Sequence, residues 1–210
     1  ATKKMPNIEE VTFIDPCAGS GHILVYAFEV FYKIYQSLGH APDSIPEKIL
    51  THNLYGLDID DRAKQLSILS ALLLARAYDK DIFKKPIQLN ITSIAESNGM
   101  SGLPALMKGE SRDIAEYLID TFRDAKEYGS ILKVKLNDYS KLQEQLDMLA
   151  PMDKLFYQAR AEQLIHQAEI LSRTYTIAVT NPPYMNKYDA KLKTYVKTYY
   201  PDSKSDLFAM

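Results

Sequence analysis

Short apolar runs alternate with longer helical segments along this chain. The β-branched and aromatic run Val11 to Ile14 predicts a first strand, and Leu54 to Leu57 predicts a second. The alternating run Ile87 to Ile91 predicts a third strand. The continuous apolar run Thr176 to Val179 predicts a fourth strand that is buried.

Two long helices are predicted between the first three strands. The segment Ile23 to Leu38 is rich in apolar residues, and Gly39 closes it as a C-cap. The segment Ala63 to Tyr78 is apolar nearly all round, which predicts burial against a sheet. Asp60 is the expected N-cap of this second helix, and Asp61 would face the positive end of its dipole. Alternating strands and helices predict an α/β fold with a doubly wound, mostly parallel sheet.

A long helical insertion is predicted before the fourth strand. From Leu103 to Arg173 there is no strand signal, and helical patterns cover Ile114 to Ala125, Tyr139 to Leu149 and Lys154 to Leu171. Between Gly109 and Arg173 there are 12 acidic and 9 basic residues, a net charge of −3. A module that binds a polyanion should be basic, so we expect a helical cap or a protein contact.

Composition narrows the class of protein. With 210 residues the chain can form one α/β domain with a full core, and its net charge of −2 excludes a generally basic polyanion binder. The single cysteine excludes an internal disulfide framework and a cysteine-based zinc site, so we expect a cytoplasmic protein and no bound metal. No apolar run reaches the roughly 18 residues of a membrane span, and no signal peptide pattern is present.

The polar residues that could carry chemistry follow directly after predicted strands. After the first strand comes a turn of Asp15, Pro16, Cys17, Ala18, Gly19, Ser20 and Gly21. Its glycines permit positive φ and close approach to a ligand, and a strand, glycine turn and helix form the cofactor-binding unit of doubly wound folds. The spacing differs from the dinucleotide fingerprint, which argues against a dehydrogenase. Asp58, at the end of the second strand, suits bidentate acceptance from ribose hydroxyls, although a simple acidic turn is the alternative.

The fourth predicted strand ends in a rigid turn made of Asn181, Pro182, Pro183 and Tyr184. Neither proline can donate a hydrogen bond to a sheet, so the strand ends there. The side-chain carbonyl of Asn181 and the main-chain carbonyl of Pro182 could converge on one NH2 group. The ring of Tyr184 offers a face on which a planar base can stack.

The segment beyond this turn is basic and aromatic. From Asn186 to Lys204 there are five lysines and two aspartates, a net charge of +3, interleaved with Tyr188, Tyr195, Tyr199 and Tyr200. Such a mixture suits a flipped-out nucleotide and its flanking phosphates. A solvated amphipathic helix with a tyrosine face explains the same pattern, and the sequence does not decide between these two interpretations.

These motifs, in this order, resemble those of S-adenosylmethionine-dependent, adenine-specific DNA methyltransferases. Asp-Pro-Cys-Ala-Gly-Ser-Gly-His, Gly-Leu-Asp-Ile-Asp, Asn-Pro-Pro-Tyr-Met and Tyr-Pro-Asp-Ser-Lys-Ser-Asp-Leu are similar to the PglX type of phage-exclusion (BREX) systems. The chain also resembles the core of type I and type IIG restriction-modification methyltransferases. The resemblance implies a truncated Rossmann-like core of the class I methyltransferases. Its expected partners are double-stranded DNA with a flipped adenine and other defence-system subunits.

The resemblance also implies a role for each motif. The cofactor carboxylate would lie on backbone N–H groups at the helix start, and its ammonium would pair with Asp15. Asp58 would bind the ribose and Ile59 would pack on the cofactor adenine, while Asn181 and Pro182 would hold the target amino group. Related enzymes carry an acid just beyond the third strand to bind the cofactor's 6-amino group. This chain has Ser93 there, and we expect Ser93 or a backbone carbonyl to replace that acid.

Two alternatives share part of this pattern. A protein glutamine methyltransferase would present a carboxamide NH2 to the same Asn-Pro-Pro-Tyr turn, and a non-catalytic subunit of a defence complex would use binding alone. We expect residues 1–210 to form a single catalytic core fragment with its insertion at about 103–173. A target-recognition region is expected beyond residue 210, so the fragment alone would have no specific DNA activity.

Overall fold

A four-stranded parallel sheet organises the chain. The structure, a computed structural model, describes residues 7–182 and 190–202. The strands are β1 (Phe13–Asp15), β2 (Leu54–Asp58), β3 (Asn90–Ser93) and β4 (Ile177–Ala178). They are parallel and lie in the order β3-β2-β1-β4, which confirms the predicted α/β fold. The strand order reverses between β1 and β4, the kind of position at which open α/β sheets bind ligands.

The chain divides into two compact units. The first contains the described residues up to Ser93 and those from Thr174 to Pro182; the second contains Ile94 to Arg173 and residues 190–202. The first unit holds the sheet with α1 (His22–Ser37), α2 (Ile45–Lys48) and α3 (Asp61–Tyr78). Short 3-10 helices occupy Ile8–Glu10 and Ile82–Lys84, and a π-helical turn occupies Ile49–Asn53.

The second unit consists of helices joined by loops, and its described residues contain no strand. Its helices are α4 (Leu103–Leu106), α5 (Glu110–Thr121), α6 (Ala125–Tyr128), α7 (Ser140–Asp147), α8 (Pro151–Ser172) and α9 (Ala190–Tyr199), with a 3-10 turn at Gly129–Ile131. Five of these helices, α4 to α8, lie between β3 and β4. The helical insertion predicted there is therefore confirmed. No helix within residues 7–182 or 190–202 is long and apolar enough to cross a membrane.

Helix α1 packs its apolar face into the core of the first unit. Leu24, Phe28 and Tyr35 on this helix are completely buried. A Cβ atom at Gly56 in β2 would lie 2.9 Å from Leu24 Cδ1, so the glycine lets α1 approach the sheet closely. The Tyr35 hydroxyl donates to Asn53 Oδ1 at 2.9 Å, and burial raises the pKa of Tyr35 to about 12. This packing fixes the start of α1, and with it the turn that joins β1 to α1.

Three expectations about burial and strand pairing were wrong, and the first two concern β3 and α3. The third strand pairs over Asn90–Ser93 rather than Ile87 to Ile91, because Ile87 and Leu89 pack on the core without joining the ladder. Helix α3 is not buried all round, since it buries its small residues Ser67, Ala71 and Ala75. Its outer leucines are about half exposed: Leu66 at 52%, Leu69 at 51% and Leu73 at 56%.

The fourth strand was expected to be buried and is exposed instead. Ile177 is 41% exposed and Val179 is 44% exposed. Within the described residues β4 pairs with β1 alone, so it is an edge strand. A buried central strand would have a second neighbouring strand on its other side.

Candidate active site at the carboxyl edge of the sheet

The glycine turn that follows β1 lies tightly against helix α3. Gly21 has φ +86°, and a Cβ atom there would come within 2.9 Å of Ser67 Cα. Gly19 has φ +54° but open space around its Cα, so only its backbone conformation requires glycine. Residue 21 therefore requires glycine both for its conformation and for its contact with α3.

Two serines on α3 hold the turn through its carbonyl groups, and neither was predicted from the sequence. Ser67 Oγ donates to the Gly19 carbonyl at 2.9 Å, and Ser70 Oγ donates to the Ser20 carbonyl at 3.2 Å. Hydroxyl groups spaced three residues apart on an otherwise leucine-rich helix were the available signal. The first N–H groups of α1 have no acceptor within the helix, so this fixed turn presents them to an anion.

Asp58 joins the glycine turn to the end of β2. Its Oδ2 atom accepts from the Gly19 N–H at 2.8 Å, and its Oδ1 atom accepts from the Asp60 N–H at 2.9 Å. The Ala18 N–H also donates to the Leu57 carbonyl at 2.8 Å. The structure thus brings the first two motifs into direct contact. Each carboxylate oxygen has two lone pairs, so Asp58 can still accept from ligand hydroxyls.

Asp15 is buried with an unsatisfied oxygen. Only 1% of the residue is exposed, and its Oδ1 atom accepts from the Cys17 N–H at 3.1 Å. Its Oδ2 atom is buried and has no hydrogen-bond partner among the residues that the structure describes. Burial raises the pKa of Asp15, the Thr180 side chain and the Cys17 N–H lower it, and the nearby Asp58 carboxylate raises it again. A buried carboxylate oxygen without a donor is costly, so a cationic donor at this position would be stabilising.

The end of β4 lies beside this carboxylate. The Val179 N–H donates to the Ile14 carbonyl at 3.0 Å, which sets β4 next to β1. A hydrogen bond from the side chain of Thr180 lowers the pKa of Asp15. Asn181 follows and is exposed, whereas Pro182 is buried. The structure therefore brings the start of the double-proline turn next to the glycine turn.

The remaining predicted site residues have distinct positions. Pro16 and Cys17 are half-buried in the glycine turn, and Ile59 beyond β2 is 51% exposed. Ser93 is completely buried at the end of β3, where it is the ladder partner of Asp58. The predicted stacking residue Tyr184 and the second proline, Pro183, lie outside the described residues.

The tyrosines of the basic segment mostly serve packing in the second unit. We call Tyr128, Tyr195, Tyr199 and Tyr200 the tyrosine cluster. The ring of Tyr195 lies 4.5 Å from that of Tyr128 and 4.6 Å from that of Tyr199, measured between centroids. The Lys133 N–H donates to the Tyr195 hydroxyl at 2.7 Å, and the Tyr200 hydroxyl donates to the Ile131 carbonyl at 2.8 Å. These contacts favour the amphipathic helix with a tyrosine face over the nucleotide site, and they show that this face packs within the unit; Tyr188 lies outside the described residues.

Comparison with known proteins gives consistent matches. Residues 52–210 match the family of the Eco57I restriction-modification methylase. A relative named adenine-specific methyltransferase BrxX, from Escherichia coli O9:H4 (strain HS), is 37% identical across 96% of this chain and 20% of its own length. A relative named adenine-specific methyltransferase PglX, from Lacticaseibacillus casei (strain Zhang), is 35% identical across 97% of this chain and 18% of its own length.

A third relative matches a shorter stretch. It is named a putative type II restriction enzyme and methyltransferase, comes from Methanocaldococcus jannaschii, and is 33% identical over 39% of this chain. The chain spans about a fifth of the length of the first two relatives. The resemblance drawn from the motifs is confirmed: the chain belongs to the Eco57I restriction-modification methylase family.

Proposed function

We propose that this chain forms the cofactor-binding and catalytic core of an adenine-specific DNA methyltransferase. The reaction transfers a methyl group from S-adenosylmethionine to the 6-amino nitrogen of adenine. The observation that supports this most is the buried, unpaired Oδ2 atom of Asp15 between the glycine turn and the end of β4. Family membership and the names of the relatives agree with this chemistry.

The residues around the glycine turn suit the polar groups of such a cofactor. Asp15 would accept from its ammonium, and the N–H groups at the start of α1 would hold its carboxylate. Asp58 would accept from its ribose hydroxyls with the lone pairs that the Gly19 and Asp60 N–H groups leave open. Ile59, about half exposed, would contact its adenine ring. The bound cofactor supplies an electrophilic methyl group on its sulfonium.

The double-proline turn would prepare the target nitrogen. The lone pair of an adenine amino group is delocalised into the ring, which makes it a poor nucleophile. Acceptance of its hydrogens by Asn181 Oδ1 and the Pro182 carbonyl would draw the nitrogen toward tetrahedral geometry and aim the lone pair at the methyl group. Positioning and electrostatics would supply most of the rate, and Tyr184 would stack on the flipped base.

The substrate is DNA rather than protein in this proposal. Relatives covering nearly the whole chain are named as adenine-specific, which disfavours the glutamine methyltransferase alternative. The second unit contains acidic as well as basic side chains, and Lys191 on α9 pairs with Asp124 and Glu127. We therefore do not assign sequence recognition to the described helices of the second unit, and we propose that the methylation of DNA takes place in the cytoplasm. Other defence-system subunits are the expected protein partners.

Asn181→Ala in the intact protein tests the proposal. Cofactor affinity measured by calorimetry should stay within about twofold, because Asn181 lies beyond the groups assigned to the cofactor. Transfer of a labelled methyl group to DNA should fall below detection, whereas Asn98→Ala, an exposed asparagine in the second unit, should leave it unchanged. Methylation of DNA that survives Asn181→Ala, or label that appears on protein instead, would refute the proposal.

A further inference from the structure

Helix α9 carries three lysines in two different electrostatic settings. Lys191 pairs with Asp124 Oδ2 at 3.4 Å and with Glu127 Oε1 at 3.2 Å. Lys193 and Lys197, which we call the lysine pair, are exposed and have no carboxylate partner among the residues that the structure describes. The helix itself contains no aspartate or glutamate. One lysine of α9 is therefore neutralised within the unit, while the charges of the lysine pair are available to a partner.

Packing within the second unit fixes which side of α9 is exposed. Leu192 and Val196 are buried, and the Tyr195 hydroxyl accepts from the Lys133 N–H at 2.7 Å. The members of the lysine pair are four positions apart, so they lie on one side of the helix with about 5–6 Å between their Cβ atoms. The fold therefore holds two cations one turn apart on an exposed surface of the unit.

The spacing and charge of the lysine pair suit the backbone of a nucleic acid. Double-stranded DNA carries one negative charge per roughly 1.7 Å of its axis, so two cations one helical turn apart can each meet a phosphate. An ammonium on a flexible stem binds a phosphate as a point charge and does not require a fixed geometry. Contacts of this kind position a duplex without reading its sequence.

We propose that the lysine pair binds the phosphate backbone of the DNA that the protein methylates. The inference rests on the proposed function, because it concerns the same substrate. Helix α9 begins eight positions after Pro182 in the sequence, so a short length of chain connects the lysine pair to the turn proposed to hold the target base. The contact raises the affinity for a duplex and does not discriminate between sequences.

A solvated surface is the competing explanation, and an acidic face of a partner protein is another. A solvated lysine acts on DNA only through the net charge of the protein, so its removal should have the same effect as removal of Lys191. A lysine in contact with a phosphate releases a counterion on binding, and its removal lowers the dependence of affinity on salt. The salt dependence of DNA binding therefore separates these explanations.

The test measures the affinity of the intact protein for duplex DNA over a series of salt concentrations. Lys193→Gln and Lys197→Gln should each reduce the steepness of log affinity against log salt by about 0.9, and the double variant should reduce it by about 1.8. The loss of affinity should be similar for a target duplex and an unrelated duplex, because no base is contacted. The double variant should raise KM for DNA and leave kcat within about twofold, and arginine at both positions should restore the wild-type salt dependence.

Lys191→Gln is the matched control, because it removes the same charge from the same helix at a lysine that Asp124 and Glu127 already neutralise. It should change the salt dependence by less than about 0.3, and unfolding temperatures should show that each variant is folded. Three results would overturn the assignment while leaving the proposed function intact: a double variant with the wild-type salt dependence, an equal reduction in Lys191→Gln, or a loss confined to one DNA sequence. A wild type that transfers no methyl group to DNA would overturn both.

Discussion

Two regions had sequence patterns that predicted binding sites. One is the carboxyl edge of the sheet, and the other is the tyrosine cluster. At the sheet edge, the Oδ2 atom of Asp15 is buried without a partner among the residues described. In the tyrosine cluster, the ring of Tyr195 contacts those of Tyr128 and Tyr199 at tilted angles, and the hydroxyls of Tyr195 and Tyr200 bond to the backbone. At the sheet edge, a polar atom has no partner within the described part of the fold. In the tyrosine cluster, these hydroxyls already form hydrogen bonds within the unit.

A buried polar atom without a partner indicates ligand binding. Side chains whose rings and hydroxyls are all in contact indicate a role in stabilising the unit. The Cys17 N–H bonds to Oδ1 of Asp15, but the described residues supply no donor to the buried Oδ2 atom, and a donor from outside would satisfy it. A tyrosine packed between other rings contributes directly to the free energy of unfolding. Substitutions in the two regions should therefore affect different measurements.

Tyr195→Ala should have the largest effect on stability. Removal of the ring that lies between Tyr128 and Tyr199 should lower the free energy of unfolding by about 3 kcal/mol. Cofactor affinity should not change if the cluster serves packing alone. Chemical denaturation measures the first quantity and calorimetry the second. The control is Tyr26→Ala, whose side chain is 71% exposed on α1 and should cost less than about 0.5 kcal/mol.

Asp15→Asn should show the opposite pattern. Loss of the charge should weaken binding of S-adenosylhomocysteine about a hundredfold, because the ligand ammonium loses a buried anionic partner. The free energy of unfolding without ligand should stay the same or rise, since the substitution removes a buried charge whose Oδ2 atom has no partner among the described residues and keeps an oxygen that can accept from the Cys17 N–H. Calorimetry and denaturation on the same preparation measure both. A variant that unfolds easily yet binds normally would show that Asp15 serves the fold instead.

Ser67→Ala should have a smaller effect on binding. The hydroxyl bond to the Gly19 carbonyl contributes about 1 kcal/mol, so cofactor affinity should fall by up to about tenfold as the glycine turn loosens. Ser37→Ala on α1, whose hydroxyl bonds within its own helix, is the matched control and should not alter affinity. Equal affinities in all three proteins would mean that the turn keeps its shape without α3.

The dependence on pH should be the mildest effect. The pKa of Asp15 is raised above its ordinary 3.8, chiefly by burial, so its charged form is disfavoured in the folded state. Its contribution should therefore stabilise the unliganded protein as pH falls through that raised pKa toward 3.8, measured as wild type minus Asp15→Asn. Cofactor affinity should fall over the same range, because a protonated Asp15 cannot pair with an ammonium. No difference between the two proteins would contradict the assignment.

Local sequence patterns predicted the turns of this site better than its supporting contacts. The glycine turn, Asp58 and the Asp60 N-cap depend on residues close together in the chain, and the structure places Asp60 Oδ1 2.8 Å from the Arg62 N–H. The bond from Ser67 to Gly19 spans 48 residues, and the bond from Ser93 to Asp61 spans 32. Such contacts depend on how α3 packs against the sheet, which hydrophobic periodicity does not specify.

Burial was the other property that the sequence did not determine. The run Thr176 to Val179 is as apolar as a central strand, yet whether it is buried depends on a neighbour on its far side. Helix α3 is apolar nearly all round, yet small residues form its inner face because α1 lies close to it. In both cases the apolar sequence shows which faces could be buried. Tertiary packing then determines which of these faces is buried.

The central claim is that Asp15 receives the cofactor ammonium in a pocket formed by the turns after β1 and β4. The most direct test is a cycle of calorimetric titrations that pairs wild type and Asp15→Asn with S-adenosylhomocysteine and with its analogue lacking the amino group. The wild type should prefer the amino compound by about a hundredfold and the variant should show almost no preference, a coupling of about 2.7 kcal/mol. The same preference in both proteins would contradict the claim.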